Sequence, residues 1–267
     1  MTYRSADAHS ARFAAAITAA RAAGALLVSH YGKLERLDIE QKGLNDFVSN
    51  ADREAEDVIW RLLGDAFPQD GFLGEETGLS GPPDAALIWC VDPLDGTSNF
   101  LKGAHNWCVS IGLWSAGEPL LGVIYDPIRD ELFTGAQEMA ATCNGRPIHV
   151  SAIDRLDKAA LGLGHNHRVR PTDFAADMEK LVAAGASFRQ VGAGALMLAY
   201  TAAGRVDSYF ERHMWAWDAV AGLAIIRAAG GVSAPYPRDG IDLRKGDRVI
   251  AAGPALYPIL TDILHQQ

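Results

Sequence analysis

The stretch "WCVDPLDGTSNF" (89–100) begins as an apolar run and becomes acidic at its fourth residue. Its apolar beginning predicts a buried strand, and that strand delivers two carboxylates, Asp92 and Asp95. Carboxylates so close together at the end of a buried strand repel each other and lose hydration, which is costly unless a cation lies between them. The stretch therefore predicts a hard divalent metal ion at this point of the fold.

The residues beside the two aspartates extend this prediction to phosphate. Pro93 has no N–H for a strand ladder, so we expect the strand to end there, with both side chains and the Leu94 carbonyl facing one point. The pair Gly96-Thr97 then begins a new segment whose free amides face the same point and can donate to phosphate oxygens. The combination predicts a site for metal and phosphate together.

Three other interpretations of this stretch were weighed. A turn with solvated aspartates is the simplest one for an isolated D-x-x-D. An EF-hand loop is excluded because the acids are not at alternate positions and the twelfth residue from Asp92 is Gly103. A phosphatase with a covalent aspartate in a D-x-D-G-T loop is excluded because Pro93 stands where the nucleophile should be.

The bulk composition limits the function classes. The chain has 267 residues, 49% hydrophobic and 21% charged, so it can bury a large core and form two closely joined domains. Its formal net charge of −9 argues against nucleic acid as the main partner, because phosphate backbones require clustered Lys and Arg. The three cysteines are an odd number in strand-like stretches, which predicts buried, reduced thiols in a cytoplasmic protein.

The N-terminal third predicts two helices. Residues 13–28 are rich in Ala, Leu and Val at helical spacing but are flanked and interrupted by arginines. We therefore expect an amphipathic helix lying on a core, and neither a signal nor a membrane span. Further along, Ser49 with Asp52 predicts the N-terminal cap of a second helix over 51–67.

The remaining chain predicts an α/β fold of mixed α+β type. Residues 87–150 have the pattern of successive strands and include an Asn144-Gly145 hairpin turn, and beyond them strands alternate with helices. This change of rhythm predicts an N-terminal domain over 1–150, which carries most metal ligands, and a C-terminal domain over 151–267.

Acidic residues elsewhere in the chain support the metal interpretation. The loop "FLGEETG" places Glu75 and Glu76 between two glycines, which suits close approach to another backbone. The stretch "WAWDAVAG" places Asp218 at the start of an apolar helix, where a helix N-cap is the simpler interpretation of that residue alone. The small residues Ala221 and Gly222 would let this helix approach another element closely.

At these residues the chain resembles a known family. The segments "GEE", "DPLDGTSNF" and "WDAVAG", in this order, resemble the three signatures of the inositol monophosphatase family, within the lithium-sensitive, Mg²⁺-dependent phosphatases. The resemblance extends from "NDFVSNADREAE" to "RVIAAG" and is specific only as a combination. It implies a layered α-β-α-β-α sugar-phosphatase fold, usually a homodimer, that uses two or three Mg²⁺ ions to hydrolyse inositol monophosphate or a similar polyol phosphate.

The resemblance also implies the metal ligands. Glu75, Asp92 and the Leu94 carbonyl would hold the first Mg²⁺ ion. A second ion would be held by Asp92, Asp95 and Asp218. These acids would assemble cations that offset the charge of the phosphate, so that an acidic protein can bind an anion.

The catalytic and phosphate-binding residues follow in the same way. Glu75 and Thr97 would position the attacking water. Asp46, which matches the family's D-x-V-[ST] segment, would support Thr97 and help to hold a third ion. The amides of Gly96 and Thr97 would bind the phosphate oxygens.

Substrate recognition is implied with less detail. Glu211, in "SYFERHMWAWD", matches the position that binds substrate hydroxyls, and Gly194 and Asp218 would also line the substrate pocket. Ala193 stands where relatives often have a hydroxyl residue, and Trp215 is bulkier than expected beside an inositol pocket. Histidinol phosphate, fructose 1,6-bisphosphate and 3′-phosphoadenosine nucleotides therefore stay open as alternative substrates.

Two further points are left open by the sequence. A regulatory, partner-binding member of the same fold is the alternative to an enzyme, although the acidic set is intact. The pattern does not assign roles to His165, His167, His213 or Arg189.

Overall fold

The structure is a computed structural model that describes residues 3–43, 46–238 and 242–265, with side chains outside the description at 3–9, 36, 42, 43, 46, 47 and 265. The described α-helices are α1 (Tyr3–Tyr31), α2 (Asn50–Ala66), α3 (Thr97–Leu101), α4 (Pro171–Ala183), α5 (Gly194–Ala202), α6 (Ala216–Ala228) and α7 (Tyr257–His265). The described strands are β1 (Ile39–Gly43), β2 (Asp46–Ser49), β3 (Gly71–Gly74), β4 (Gly78–Ser80), β5 (Ile88–Asp95), β6 (Cys108–Ser115), β7 (Glu118–Asp126), β8 (Glu131–Ala136), β9 (Met139–Cys143), β10 (Arg146–Pro147), β11 (Ala160–Leu163), β12 (Ser187–Arg189), β13 (Ser208–Met214), β14 (Val232–Ser233) and β15 (Asp247–Ala252). Short 3-10 helices cover Leu34–Arg36, Leu156–Lys158 and Leu243–Lys245.

These elements form five layers. An eight-stranded sheet has the order β10-β9-β8-β7-β6-β5-β3-β4, and a five-stranded sheet has the order β12-β11-β13-β15-β14. Helices α1 and α2 pack on one face of the larger sheet, α5 and α6 fill the space between the sheets, and α4 and α7 cover the outer face of the smaller one. The predicted mixed α/β class and its α-β-α-β-α layering are confirmed. The division into domains near residue 150 stays a prediction.

The first helix lies on the core, as the sequence predicted. Its segment Ser10–Tyr31 is the one stretch among the described residues that is long and apolar enough to cross a membrane by length and composition. Core helices pass the same test, so the packing is more informative. The side chains of Ala16, Ala20, Ala23 and Leu27 are fully buried in the cluster formed with α2 and the larger sheet.

The helix cap and the hairpin turn are also present. The Ser49 side chain accepts from the amide of Ala51, and Asp52 accepts from the Ser49 amide, which gives the predicted capping box at α2. Asn144 and Gly145 both have positive φ (49° and 73°) between β9 and β10, as a two-residue hairpin turn requires.

The expectation that the strand ends at Pro93 is wrong, because β5 continues to Asp95. The pairing with β6 shifts between Asp92, which faces Ser110, and Asp95, which faces Cys108, so that three steps along β5 oppose two along β6. This bulge accommodates a residue that has no N–H to donate. In a regular strand, side chains three positions apart point to opposite faces. The extra residue returns both aspartates to the same side.

A row of glycines seats helix α6 against the larger sheet. Gly122 pairs with Gly112 on one side and with Gly135 on the other, so the three lie side by side on β6, β7 and β8. A Cβ atom on Gly122 would lie 2.0 Å from the carbonyl oxygen of Ala221 in α6. The backbone of α6 therefore lies directly on the sheet, and this contact sets the position of Asp218 in its first turn.

We expect Gly122→Ala to lower the free energy of unfolding by roughly 3 kcal/mol, because the new methyl group meets backbone atoms that cannot rotate away. Gly64→Ala is the matched control, since its Cβ would lie 3.7 Å from the Trp60 ring and alanine is the better helix former. Urea denaturation of both variants measures the effect. Equal stability of the two variants would show that α6 is not held by this contact.

Candidate active site

Three carboxylates from distant parts of the chain meet at the end of β5. Asp92, Asp95 and Asp218 each present an oxygen, and these oxygens all lie within 4.8 Å of one another. Asp92 is 3% exposed and Asp95 is 8% exposed, while Asp218 is half-buried. Burial raises the pKa of all three carboxyl groups, and repulsion between them raises the pKa of Asp92 and Asp218 further.

Backbone amides hold Asp95 in this arrangement. Its Oδ1 accepts from the amide of Gly194 at 3.1 Å, and its Oδ2 accepts from the amide of Leu196 at 3.2 Å. These amides belong to the first turn of α5, where N–H groups have no partner within the helix. The bonds lower the pKa of Asp95 in part against the effect of burial, and they join the larger sheet to the layer between the sheets.

Asp218 is not a helix N-cap, so that interpretation is wrong. The N-cap of α6 is Trp215, which makes no side-chain cap bond, and Asp218 is the third residue of the helix. Its carboxylate lies with Asp92 and Asp95 instead. The hydroxyl of Ser110 on β6 donates to the Trp217 carbonyl at 2.9 Å and fixes the chain just before Asp218.

The donor set fits divalent cations. All three side chains offer carboxylate oxygens, which are the ligands of hard ions such as Mg²⁺. A cation among them would offset the burial and the mutual repulsion that raise the pKa of Asp92 and Asp218. The Asp92 Oδ1 accepts from the Leu94 amide at 2.8 Å, which folds the Leu94 peptide back onto the cluster. Each carboxylate oxygen can accept at more than one position, so these bonds leave room for an ion.

Thr97 lies next to the cluster with its hydroxyl oriented by two acceptors. Its Oγ1 is 3.0 Å from the Leu94 carbonyl oxygen and 3.2 Å from Asp52 Oδ1. Asp52 is 1% exposed. One oxygen of its carboxylate accepts from Ser49 at the helix cap, and the other accepts from Thr97. The predicted support from Asp46 falls on a side chain outside the described residues.

The Glu75 loop is held by a buried carboxylate. Glu56 of α2 is 1% exposed and accepts from the amides of Glu76 and Thr77, both at 2.9 Å. A Cβ atom at Gly74 would collide with this carboxylate at 2.6 Å, so the glycine permits the contact. Glu75 therefore stands on a backbone segment that is fixed on both sides, because its own amide donates to the Val91 carbonyl on β5.

The predicted site residues meet in one pocket of about 260 Å³. Apart from Asp46, all of them line it: Glu75, Asp92, Leu94, Asp95, Gly96, Thr97, Gly194, Glu211 and Asp218. Gly96 has φ of 93°, a left-handed conformation, and a Cβ there would lie 2.7 Å from the Asn106 carbonyl oxygen. This volume suits a small substrate rather than a polymer.

Glu211 forms the side of the pocket on the smaller sheet. Its Oε2 accepts from the Tyr209 hydroxyl at 2.7 Å, and its Oε1 accepts from Asn166 Nδ2 at 3.1 Å. Burial raises the pKa of Glu211 to about 7, against the lowering effect of these two bonds. A carboxylate that is fixed in this way can accept hydrogen bonds from hydroxyl groups of a ligand.

Comparison with known proteins gives the family. The model of the "Inositol monophosphatase family" matches residues 9–267. The chain belongs to the inositol monophosphatase family. It is 41% identical to the inositol-1-monophosphatase of Mesorhizobium japonicum over 246 residues, which cover 91% of this chain and 92% of that protein. It is 43% identical to the Nus factor SuhB of Xylella fastidiosa over 217 residues, which cover 80% and 78% of the two chains.

A solved structure supports the same fold. The extragenic suppressor protein suhB of Bartonella henselae has a TM-score of 0.87 and 38% identity, with coverage of 94% of this chain and 97% of that one. The predicted family resemblance is therefore confirmed.

Within this inositol monophosphatase fold, several contacts were missed by the sequence analysis. Asp52 was assigned only to the helix cap, while Glu56 and Asn166 received no role. Each acts on groups far along the chain, from 20 to 47 positions away, so no local pattern reveals them. The structure also places the residues to which the sequence assigned no role. His165 and His167 are exposed and line the pocket, and His213 contacts the Lys245 carbonyl. Arg189 lies on the exposed strand β12.

We expect Glu56→Gln to weaken Mg²⁺ binding beside the Glu75 loop, because glutamine presents one acceptor and one donor to two amide donors. The loss of a bond to a charged acceptor should raise the Mg²⁺ concentration at half-maximal activity about 10- to 100-fold. A Mg²⁺ titration of phosphate release measures this. The control is Asp57→Asn, the next residue of the same helix, which pairs with Arg61 on the surface. An unchanged titration in a folded Glu56→Gln variant would restrict Glu56 to a structural role.

Glu211 should also affect the stability of the metal-free protein. Its pKa is about 7 in the folded state against 4.5 for the ordinary group, so between these values the folded protein binds more protons than the unfolded chain. Stability contributed by Glu211 is therefore present below pH 4.5 and falls as pH rises to 7, by on the order of 3 kcal/mol. Urea unfolding in EDTA should show a weaker pH dependence in Glu211→Gln than in the exposed control Glu179→Gln. Parallel curves would contradict the assignment.

Proposed function

We propose that the chain is a cytoplasmic, homodimeric, Mg²⁺-dependent phosphomonoesterase that hydrolyses inositol monophosphate or a similar small polyol phosphate. The observation that carries this proposal is the convergence of Asp92, Asp95 and Asp218 in a pocket that Gly96 and Thr97 also line. Membership of the inositol monophosphatase family supports the same chemistry. The acidic net charge supports a small anionic substrate bound through metal ions rather than an extended nucleic-acid surface.

The metal ligands in this proposal are those implied by the resemblance. Glu75, Asp92 and the Leu94 carbonyl hold one ion, and Asp92, Asp95 and Asp218 hold another. When bound, such ions lower the pKa of water, neutralise phosphate oxygens and stabilise the departing alkoxide. Asp46 supports Thr97 and helps to hold a third ion, which binds more weakly than the other two.

The residues of the chain orient the attacking water. The single proton of Thr97 Oγ1 is directed to the Leu94 carbonyl or to Asp52, so the lone pairs of this oxygen can accept from water. The carboxylate of Glu75 accepts the other proton of the same water. The two groups thereby align a water oxygen with the phosphorus atom, and no covalent intermediate on the protein is needed.

The two ends of the substrate are bound by different layers of the fold. The amides of Gly96 and Thr97 donate to phosphate oxygens. On the opposite side, Glu211 accepts hydrogen bonds from hydroxyl groups of the alcohol, with its orientation fixed by Tyr209 and Asn166. This arrangement favours polyols over simple alkyl phosphates.

A second candidate function comes from the relatives. The Xylella fastidiosa relative is named a Nus factor, which favours a regulatory, partner-binding protein of the same fold. A buried and complete acidic cluster has no evident use in such a protein, and this argues for catalysis as the first candidate. The two candidates differ in turnover by the metal-loaded protein.

We expect the protein to release phosphate, in a Mg²⁺-dependent reaction, from at least one compound of a panel. The panel contains inositol 1-phosphate, histidinol phosphate, fructose 1,6-bisphosphate and 3′-phosphoadenosine 5′-phosphate. Asp92→Asn and Asp218→Asn should each lower kcat/KM by roughly 100-fold or more, because each removes a ligand charge. The exposed Asp65→Asn is the control. Li⁺ at millimolar concentration should slow turnover, as the family resemblance implies.

The fold of the variants must be checked in the same experiment. Thermal unfolding in EDTA should show Asp92→Asn and Asp218→Asn to be no less stable than the parent, because each removes a like charge from the cluster. No turnover of any panel member by the folded, Mg²⁺-loaded parent would favour the regulatory candidate. Near-normal turnover by either folded variant would exclude that residue as a metal ligand.

A further inference from the structure

The charges that line the pocket are segregated by depth. The five carboxylates of the wall are buried or half-buried, whereas the exposed lining residues among those described are His165, His167, Arg168, Gln190 and Gly192. None of these exposed residues is acidic, although the chain as a whole carries a net charge of −9. The mouth of the pocket therefore carries an arginine and two histidines above an acidic floor.

Arg168 is mounted on the wall of the pocket. Its guanidinium carbon lies 4.5 Å from the centroid of the Trp215 ring. The same ring meets the His213 ring edge-on, with centroids 4.8 Å apart, and stacks on Trp217, with centroids 5.0 Å apart and planes tilted by 21°. Because Trp217 directly precedes Asp218, the stack connects the arginine at the mouth to the chain of the acidic cluster.

The loop that carries Arg168 is fixed against Glu211. The Arg168 amide donates to Asn166 Oδ1 at 3.0 Å, and Asn166 Nδ2 donates to Glu211 Oε1 at 3.1 Å and to the His213 carbonyl at 2.6 Å. Gly164 lies so close that a Cβ there would be 2.1 Å from Glu211 Oε2. The mouth is therefore on the same side of the pocket as the group that binds the alcohol half of the substrate.

We propose that Arg168, with His165 and His167, forms an anion-binding subsite that takes a second anionic group, a phosphate or a carboxylate, on the alcohol half of the substrate. This inference rests on the proposed function and refines its substrate class: among small polyol phosphates, it predicts a preference for those that carry a second negative charge. A guanidinium stays charged at every physiological pH and matches the oxygens of either group with paired N–H donors. Among the described residues that line the pocket, Arg168 is the arginine or lysine that a second negative charge would meet.

Two pairs of substrates test the subsite. Fructose 1,6-bisphosphate and fructose 1-phosphate differ only in the distal phosphate, and 3-phosphoglycerate and glycerol 3-phosphate differ in a carboxylate. Arg168→Gln should lower kcat/KM about 10- to 100-fold for the doubly anionic member of at least one pair and less than about twofold for its partner. Arg168→Lys should recover part of the loss. Arg170→Gln, on an exposed arginine that pairs with Asp173 and does not line the pocket, should change nothing.

Calorimetric binding of the same compounds, with Ca²⁺ in place of Mg²⁺, separates the two proposals. Suppose that the parent protein binds the doubly anionic compound of a pair more tightly, that Arg168→Gln loses this preference, and that the parent hydrolyses no compound with Mg²⁺. That result would support the subsite and contradict the phosphatase. Turnover of the singly charged compounds with no Arg168-dependent preference in either pair would overturn the subsite alone. Equal losses on both members of each pair would assign Arg168 to the pocket wall. If no compound is bound or hydrolysed, both proposals are wrong.

Discussion

The packing of the folded chain must overcome the mutual repulsion of Asp92, Asp95 and Asp218. Their oxygens lie within 4.8 Å of one another and are largely buried. Charged carboxylates in such a place lose hydration, and this costs free energy unless a cation compensates them. The fold holds this arrangement with backbone contacts that cannot rotate away. A bulge turns two aspartates to one side, glycines seat α6 on the sheet, and the first turn of α5 donates amides to Asp95. The cluster is thus prepared for cations before any cation binds.

The same contacts explain why the site lies between layers. Asp92 and Asp95 belong to the larger sheet, Asp218 belongs to α6 between the sheets, and Glu211 belongs to the smaller sheet. A change in the spacing of any two layers would separate one carboxylate of the cluster from the others, or the cluster from Glu211. The packing of the core therefore also sets the geometry of the site. The glycine row contributes to both, because it lets α6 lie directly on the larger sheet.

The sequence predicted the parts of this arrangement that depend on neighbouring residues. An apolar strand that ends in two aspartates predicts a bound cation, and Ser49 with Asp52 predicts a helix cap. The approach of Asp218 depends on α6 crossing the sheet, so that residue entered the site only through the family resemblance. The prediction that the strand ends at Pro93 was wrong because a missing N–H is tolerated both at a strand end and in a bulge. Glu56 and Asn166 could not be predicted, because the fold brings their partners near from distant positions: two backbone amides for Glu56, and the Glu211 side chain and the His213 carbonyl for Asn166.

Chemistry and specificity are carried by different depths of one pocket. The floor is formed by carboxylates whose oxygens suit cations, and in the proposed function these cations bind the phosphate that every substrate would share. The mouth is formed by a short loop at 164–168 and by the tryptophans before Asp218, which touch the floor through Asn166 and one aromatic stack. Substitutions at the mouth can change the charge offered to the alcohol half without moving a metal ligand. In the proposed function, the mouth is consequently the part of the pocket that selects the alcohol half of the substrate.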